Sequence, residues 1–197
     1  MNNDLIRHGA EFRRHLANHA YEMSEHGILF PKAKALAHGV YIHTVNGGDL
    51  REDPNLLVNE GLTYMLDVAL NNATKLATWY VALYAAAYTP LAALTAASFA
   101  ATASEITSNT EGYTQANRVT WVPAAPTTPL ITNLASKASF TIATASSLAV
   151  NGAGLLSDAT KGAVTGKLMS ASKFAVTRTL YDTDTFEVAY QATLTGV

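Results

Sequence analysis

Cysteine is absent from this 197-residue chain. That excludes a disulfide framework, a thiolate nucleophile and a sulfur-ligated metal, so stability has to come from packing and assembly. Charge is scarce as well. Asp, Glu, Lys and Arg make up 14% of the residues, against roughly a quarter in ordinary soluble domains. The formal net charge is -2, and without a basic stripe the chain has no electrostatic footprint for a nucleic-acid backbone. So weakly charged a surface is poor at keeping a protein monomeric, and much of it is expected to be covered by neighbouring subunits. Histidine is missing after His43: all six histidines, with nearly half of the charges, lie in the first 53 residues. The opening Met1-Asn2-Asn3-Asp4-Leu5-Ile6-Arg7-His8 is polar and lacks the apolar core of a secretory signal, so export by that route is not expected.

The hydrophobic content of 49% is enough for one substantial core. Between Lys75 and Glu105 there is no charged residue, and that run is long enough to cross a bilayer. Its bulk is Ala, Thr and Ser interrupted by Pro90, however, and residues 78–84 alternate as a strand does. A strand followed by an Ala-rich loop or short helix is the expected structure, not a membrane span.

In the first 53 residues, Leu5, Phe12, Leu16, Ala20 and Met23 recur at helical intervals, which predicts a helix over residues 4–26 that ends at Gly27. Its apolar stripe is narrow, so the helix needs a partner surface. Residues 39–45 alternate as a strand, and Asn46-Gly47-Gly48-Asp49 supplies turn chemistry. Beyond Asp53-Pro54, Leu56-Leu57-Val58 reads as a short buried strand or entry segment. Asn59 is placed to cap a helix running to Asn72, with Leu62, Met65, Leu66, Ala69 and Leu70 on one face. Strand signals then accumulate over residues 78–84, 118–122, 138–143, 166–169, 174–180 and 186–194. Residues 95–103 fit a short helix capped by Thr95 or a loop, and turns are expected at 151–154 and at Lys161-Gly162. The spacing predicts a mainly β, antiparallel sandwich, jelly-roll or immunoglobulin-like, with one packed helix and an N-terminal helical and extended arm.

Candidate chemistry is thin. His15 and His19 stand four apart with Glu11 and Glu22 within a turn, but the Glu that follows the first His in a zinc-protease motif is absent and no distant third ligand is evident. A solvated or subunit-facing helix explains the pair better, and His8, His26, His38 and His43 are expected at the surface or an interface. Serine and threonine are plentiful, yet there is no Gly-x-Ser-x-Gly elbow and every histidine is in the leading segment. Asp182 and Asp184 read as turn residues whose carboxylates cap backbone amides, and Glu111 and Asp158 as loop residues. Asn151-Gly152-Ala153-Gly154 lacks the Gly-Lys-Ser/Thr ending of a phosphate loop. Trp79 and Trp121 fit a core better than a sugar-stacking platform, and Arg118 and Arg178 suit carboxylate partners. No enzyme, cofactor or metal is expected.

The runs Asn55-Leu56-Leu57-Val58-Asn59-Glu60-Gly61-Leu62 and Thr78-Trp79-Tyr80-Val81-Ala82-Leu83-Tyr84 are followed by Ala116-Asn117-Arg118-Val119-Thr120-Trp121 and by Phe186-Glu187-Val188-Ala189-Tyr190. In that order they make the chain, over about residues 54–194, similar to a group of small structural proteins of tailed bacteriophages. The resemblance implies a virion component at the capsid surface, made in the host cytoplasm. It implies a decoration or cement protein whose partners are the major capsid protein and copies of itself, as a homo-oligomer such as a trimer. It carries no catalytic residues, and a neck or tail adaptor or a carbohydrate-binding attachment module remain alternatives. On this reading residues 54–197 form the sandwich body. Residues 1–53 form a docking arm that buries Leu5, Ile6, Phe12, Leu16, Ile28, Leu29 and Phe30 against a neighbour.

Overall fold

A computed structural model describes residues 21–23, 29–31, 35–126 and 128–196. The chain divides into two compact units, Ala37–Leu194 and a smaller one of Met1–Leu36 with Thr195–Val197.

In the smaller unit, β1 (Tyr21–Met23) pairs antiparallel with β2 (Leu29–Pro31), Glu22 opposite Phe30. Residues 21–23 of the helix expected over 4–26 are therefore extended. A narrow apolar stripe contributes little to a short helix, whereas pairing gives the same backbone groups partners. Residues 4–20 and 24–26 lie outside the described residues.

The larger unit is a sandwich of two antiparallel sheets. One holds β4 (Gly48–Pro54), β3 (Ala35–Val45), β13 (Thr185–Gly196), β10 (Ala138–Ala143) and β7 (Gly112–Tyr113) in that order, with β9 (Leu130–Thr132) also on β13. The other runs β5 (Leu56–Leu57), β12 (Leu168–Leu180), β11 (Leu148–Leu156), β6 (Trp79–Tyr84) and β8 (Val119–Trp121). Because β3 and β4 belong to the first sheet, the compositional break near Pro54 is not a structural one. Residues 37–53, expected in the arm, are part of the body.

Strand alternation explains how the layers close. Tyr41, Phe140, Ile142, Phe186, Val188 and Tyr190 of the first sheet meet Val81, Leu83, Val150, Leu155, Phe174 and Leu180 of the second in one buried cluster. The opposite parity of the second sheet, Ala82, Tyr84, Leu156, Leu168 and Ala171, is buried as well, under α2 (Ala96–Ala103) with Phe99. That is why Val81-Ala82-Leu83-Tyr84 is apolar without interruption: both faces of β6 are covered.

The turn expected at 151–154 is instead the middle of β11. Its glycines serve close approach, not flexibility. A Cβ at Gly152 would collide with the Ser172 carbonyl and the Tyr84 ring, and one at Gly154 would stand 2.7 Å from the Phe99 ring. The turn at Lys161-Gly162 does form, with Gly162 at φ +74°.

Candidate functional site

The helix α1 (Asn59–Leu70) begins where the spacing predicts, but Asn59 does not cap it. Val58 holds the cap position, and the Asn59 amide donates to the Ala92 carbonyl at 2.8 Å. Three residues fasten the helix. Gly61 lies directly on the backbone of Met169, where a Cβ would overlap the carbonyl. The Glu60 carboxylate accepts the amides of Ala96 and Leu168, each at 2.8 Å, which ties α1 to the start of α2 and to β12. Tyr64 sets its ring edge against Trp79, 5.5 Å between centroids, and its hydroxyl accepts the Leu76 amide at 2.6 Å.

Beyond these anchors α1 is only partly covered. Gly61 is its one buried residue and Met65 and Val68 are half-buried, while Leu62, Leu66 and Leu70 are 37%, 61% and 81% exposed, so the leucines of the expected apolar face are turned outward. Beside Met65 of the same helix runs an apolar groove of about 300 Å³, lined by Ala37, Pro129, Leu130, Ile131 and Leu194 among others. A second hollow of about 210 Å³ shares Met65, Ile131 and Ala192 with it and reaches in to Trp79 and Trp121. Among the described residues no charged side chain lines either. Chemically this surface can exclude water from an apolar partner. Among the described residues that line it there is no carboxylate, imidazole or lysine.

The tryptophans sit opposite each other on β6 and β8. Trp121 is buried and donates its indole N–H to the Tyr190 carbonyl at 3.4 Å, whereas Trp79 is half-buried. The one hydroxyl among the described residues of their hollow, that of Tyr190, already receives a hydrogen bond from Asn55 at 3.0 Å. Sugar hydroxyls would find few partners there.

Two buried ionic clusters complete the picture. Arg118 makes a forked pair with Glu105, 2.7 Å on each arm, and donates to the carbonyls of Asp158 and Ala163, pinning the loop after β11. In the same loop the Lys161 ammonium stands 3.6 Å over the Tyr113 ring, and partial burial pushes its pKa down to about 8. The second cluster joins the sheets. His43, expected at the surface or an interface, is fully buried, because two residues on from Tyr41 in an alternating strand it faces inward. Its Nε2 lies 2.8 Å from Asp53, its Nδ1 lies 2.9 Å from Nε of Arg178, and Phe174 stacks on the ring at 3.9 Å.

The remaining expectations resolve as follows. Asp184 accepts the Tyr181 amide and Asp182 that of Thr144, so the pair is a turn with Thr183 at φ +68°. Arg118 and Arg178 both hold carboxylates, Glu105 and Asp49. Among the described residues no group of three potential metal ligands comes together, and no helix is long and apolar enough to cross a membrane. Of the expected docking residues, Leu5, Ile6, Phe12, Leu16 and Ile28 lie outside the described residues, as do His15 and His19; Leu29 and Phe30 fall in β2. The outward face of α1 was missed because helical spacing shows that a stripe exists and not what covers it. No family model matches the sequence, and no curated protein matches it either.

Proposed function

We propose that the protein is a structural subunit of a tailed-bacteriophage virion, a decoration or cement protein that binds the capsid surface and stabilises it through contacts with the shell and with other copies of itself. The observation that carries this reading is the uncovered apolar face, in which Leu62, Leu66 and Leu70 stand out from α1 beside an uncharged groove. Exposed apolar surface gathered on one element is a feature of subunits that pack against neighbours. The order of sequence runs shared with phage structural proteins supplies the setting, and the scarcity of charge fits a surface meant to be covered.

Quantitative mass spectrometry of purified particles tests it. Hundreds of copies per virion support decoration, a dozen or fewer move the protein to the neck or tail, and absence from particles overturns the virion reading.

A further inference from the structure

The second buried cluster has a feature that is independent of where the protein acts. An arginine Nε can only donate, so His43 Nδ1, 2.9 Å away, must carry a lone pair; the ring proton is then on Nε2 and is donated to Asp53 Oδ2 at 2.8 Å. The neutral ring is the centre of a chain that crosses the sandwich. Asp53 accepts the Ala175 amide of β12 at 2.7 Å through its other oxygen. Arg178, also on β12, reaches back to β3 and β4, pairing with the Asp49 carboxylate and donating to the Asp49 carbonyl at 2.7 Å and the His43 carbonyl at 3.3 Å.

We propose that His43 is an acid-sensitive clasp: with a neutral ring it fastens β3 and β4 of one sheet to β12 of the other, and on protonation it releases Arg178 and loosens that corner of the sandwich. A proton on Nδ1 would set two N–H donors facing each other at 2.9 Å, and no rotation of a fully buried ring between Phe174 and Phe186 relieves this. The surrounding charges do not compensate. From β4 the ring is faced by Asp49, Arg51 and Asp53, and from β12 by Arg178; Glu187 of β13 is engaged by Thr44 and Lys137. Two carboxylates and two guanidiniums already balance, so a protonated ring adds an unmatched positive charge to the interior. Arg178 has somewhere to go, because its pairing with Asp49 survives the loss of the His43 contact.

The direction of the pH effect follows. Burial, opposed in part by the Asp53 hydrogen bond, holds the His43 pKa below the ordinary imidazole value. Above about pH 6.5 the ring is neutral whether the corner is closed or open. Below that value the open form takes the proton first, and stability is lost as the pH falls. One proton changes the opening equilibrium by at most about tenfold per pH unit.

Long-range proton–nitrogen NMR of the ring and hydrogen exchange of the full chain between pH 7.5 and 5 test this, in a range above ordinary carboxylate titration. The expected result is an Nε2–H tautomer at pH 7.5, and exchange in β3, β4 and the Phe174–Leu180 end of β12 that rises by up to about tenfold per unit below pH 6.5 relative to β6 amides. His43→Gln, which keeps a neutral donor and acceptor, should flatten that rise. An Nδ1–H tautomer, acceleration shared equally by β6, or a wild-type pH profile in His43→Gln would each overturn the proposal. If the variant does not fold, the tautomer and the exchange ratio of the native chain decide alone.

Discussion

The two helices of the larger unit invert the usual relation between amphipathicity and burial. In α1, twelve residues long, the leucine stripe is exposed and only Gly61 is buried; α2, eight residues of Ala, Thr, Ser and one Phe, buries Ala96, Phe99 and Ala103. The difference lies in how near each backbone can come to the sheet. Alanines let α2 lie close enough for Phe99 to fit over Gly154 of β11, its ring edge-on to Tyr84 at 6.0 Å. In α1 closeness is available only at Gly61, at the first turn, so the helix is held by its beginning and by Tyr64 while its leucines project. Small residues decide which helix joins the core, and on the proposed function the exposed leucine stripe is a surface for a neighbour.

If that is right, the shorter and less hydrophobic helix should matter more to folding. Phe99→Ala removes the ring on which the outer cluster is built and is expected to destabilise the protein by about 3–5 kcal/mol, read by urea denaturation. A loss below 1 kcal/mol would mean that α2 is no more a core element than α1. Next in size is the link between the two. Glu60 accepts two backbone amides, one at the head of α2 and one in β12, and Glu60→Ala leaves both without that acceptor. The expected cost is about 2 kcal/mol in the same measurement. Hydrogen exchange should also rise in both helices together. If α2 alone responds, α1 is secured by Gly61 and Tyr64 without it.

Much of the sandwich was legible because strand alternation is written residue by residue. Ala138–Ala143 shows it most plainly, with Ala138, Phe140 and Ile142 buried and Ser139 and Thr141 exposed. Residues 78–84 read as an alternating strand, and β6 is one, although with both of its faces covered the burial itself does not alternate over Val81–Tyr84. The failures have physical causes. The glycines of β11 looked like a joint because their purpose, room for Tyr84 and Phe99, depends on residues far along the chain. β4 was hidden because its polar sequence, Gly48–Pro54, is a sheet edge whose charges serve His43 on the neighbouring strand and Arg178 across the sandwich. The same strand parity that placed Tyr41 inward would have placed His43 there too. The expectation that His43 lies at the surface or an interface obscured it.

The finest test concerns the stripe itself. Leu66 and Leu70 are 61% and 81% exposed, so Leu66→Ser with Leu70→Ser should change monomer stability by no more than about 0.5 kcal/mol. If the stripe is a contact surface, the same double variant should weaken association with its own copies or with purified particles by at least about tenfold in sedimentation assays, because two leucines removed from an apolar interface forfeit well over 1.4 kcal/mol. A variant that folds, melts and associates as the native chain does would make the projecting leucines incidental. It would also remove the asymmetry between the helices as evidence for a neighbour, leaving α1 merely the less well packed of the two. A variant that loses stability and association together would place α1 in the core by a route its exposed side chains do not reveal. Only stability kept and association lost separates the two helices into one that builds the fold and one that uses it.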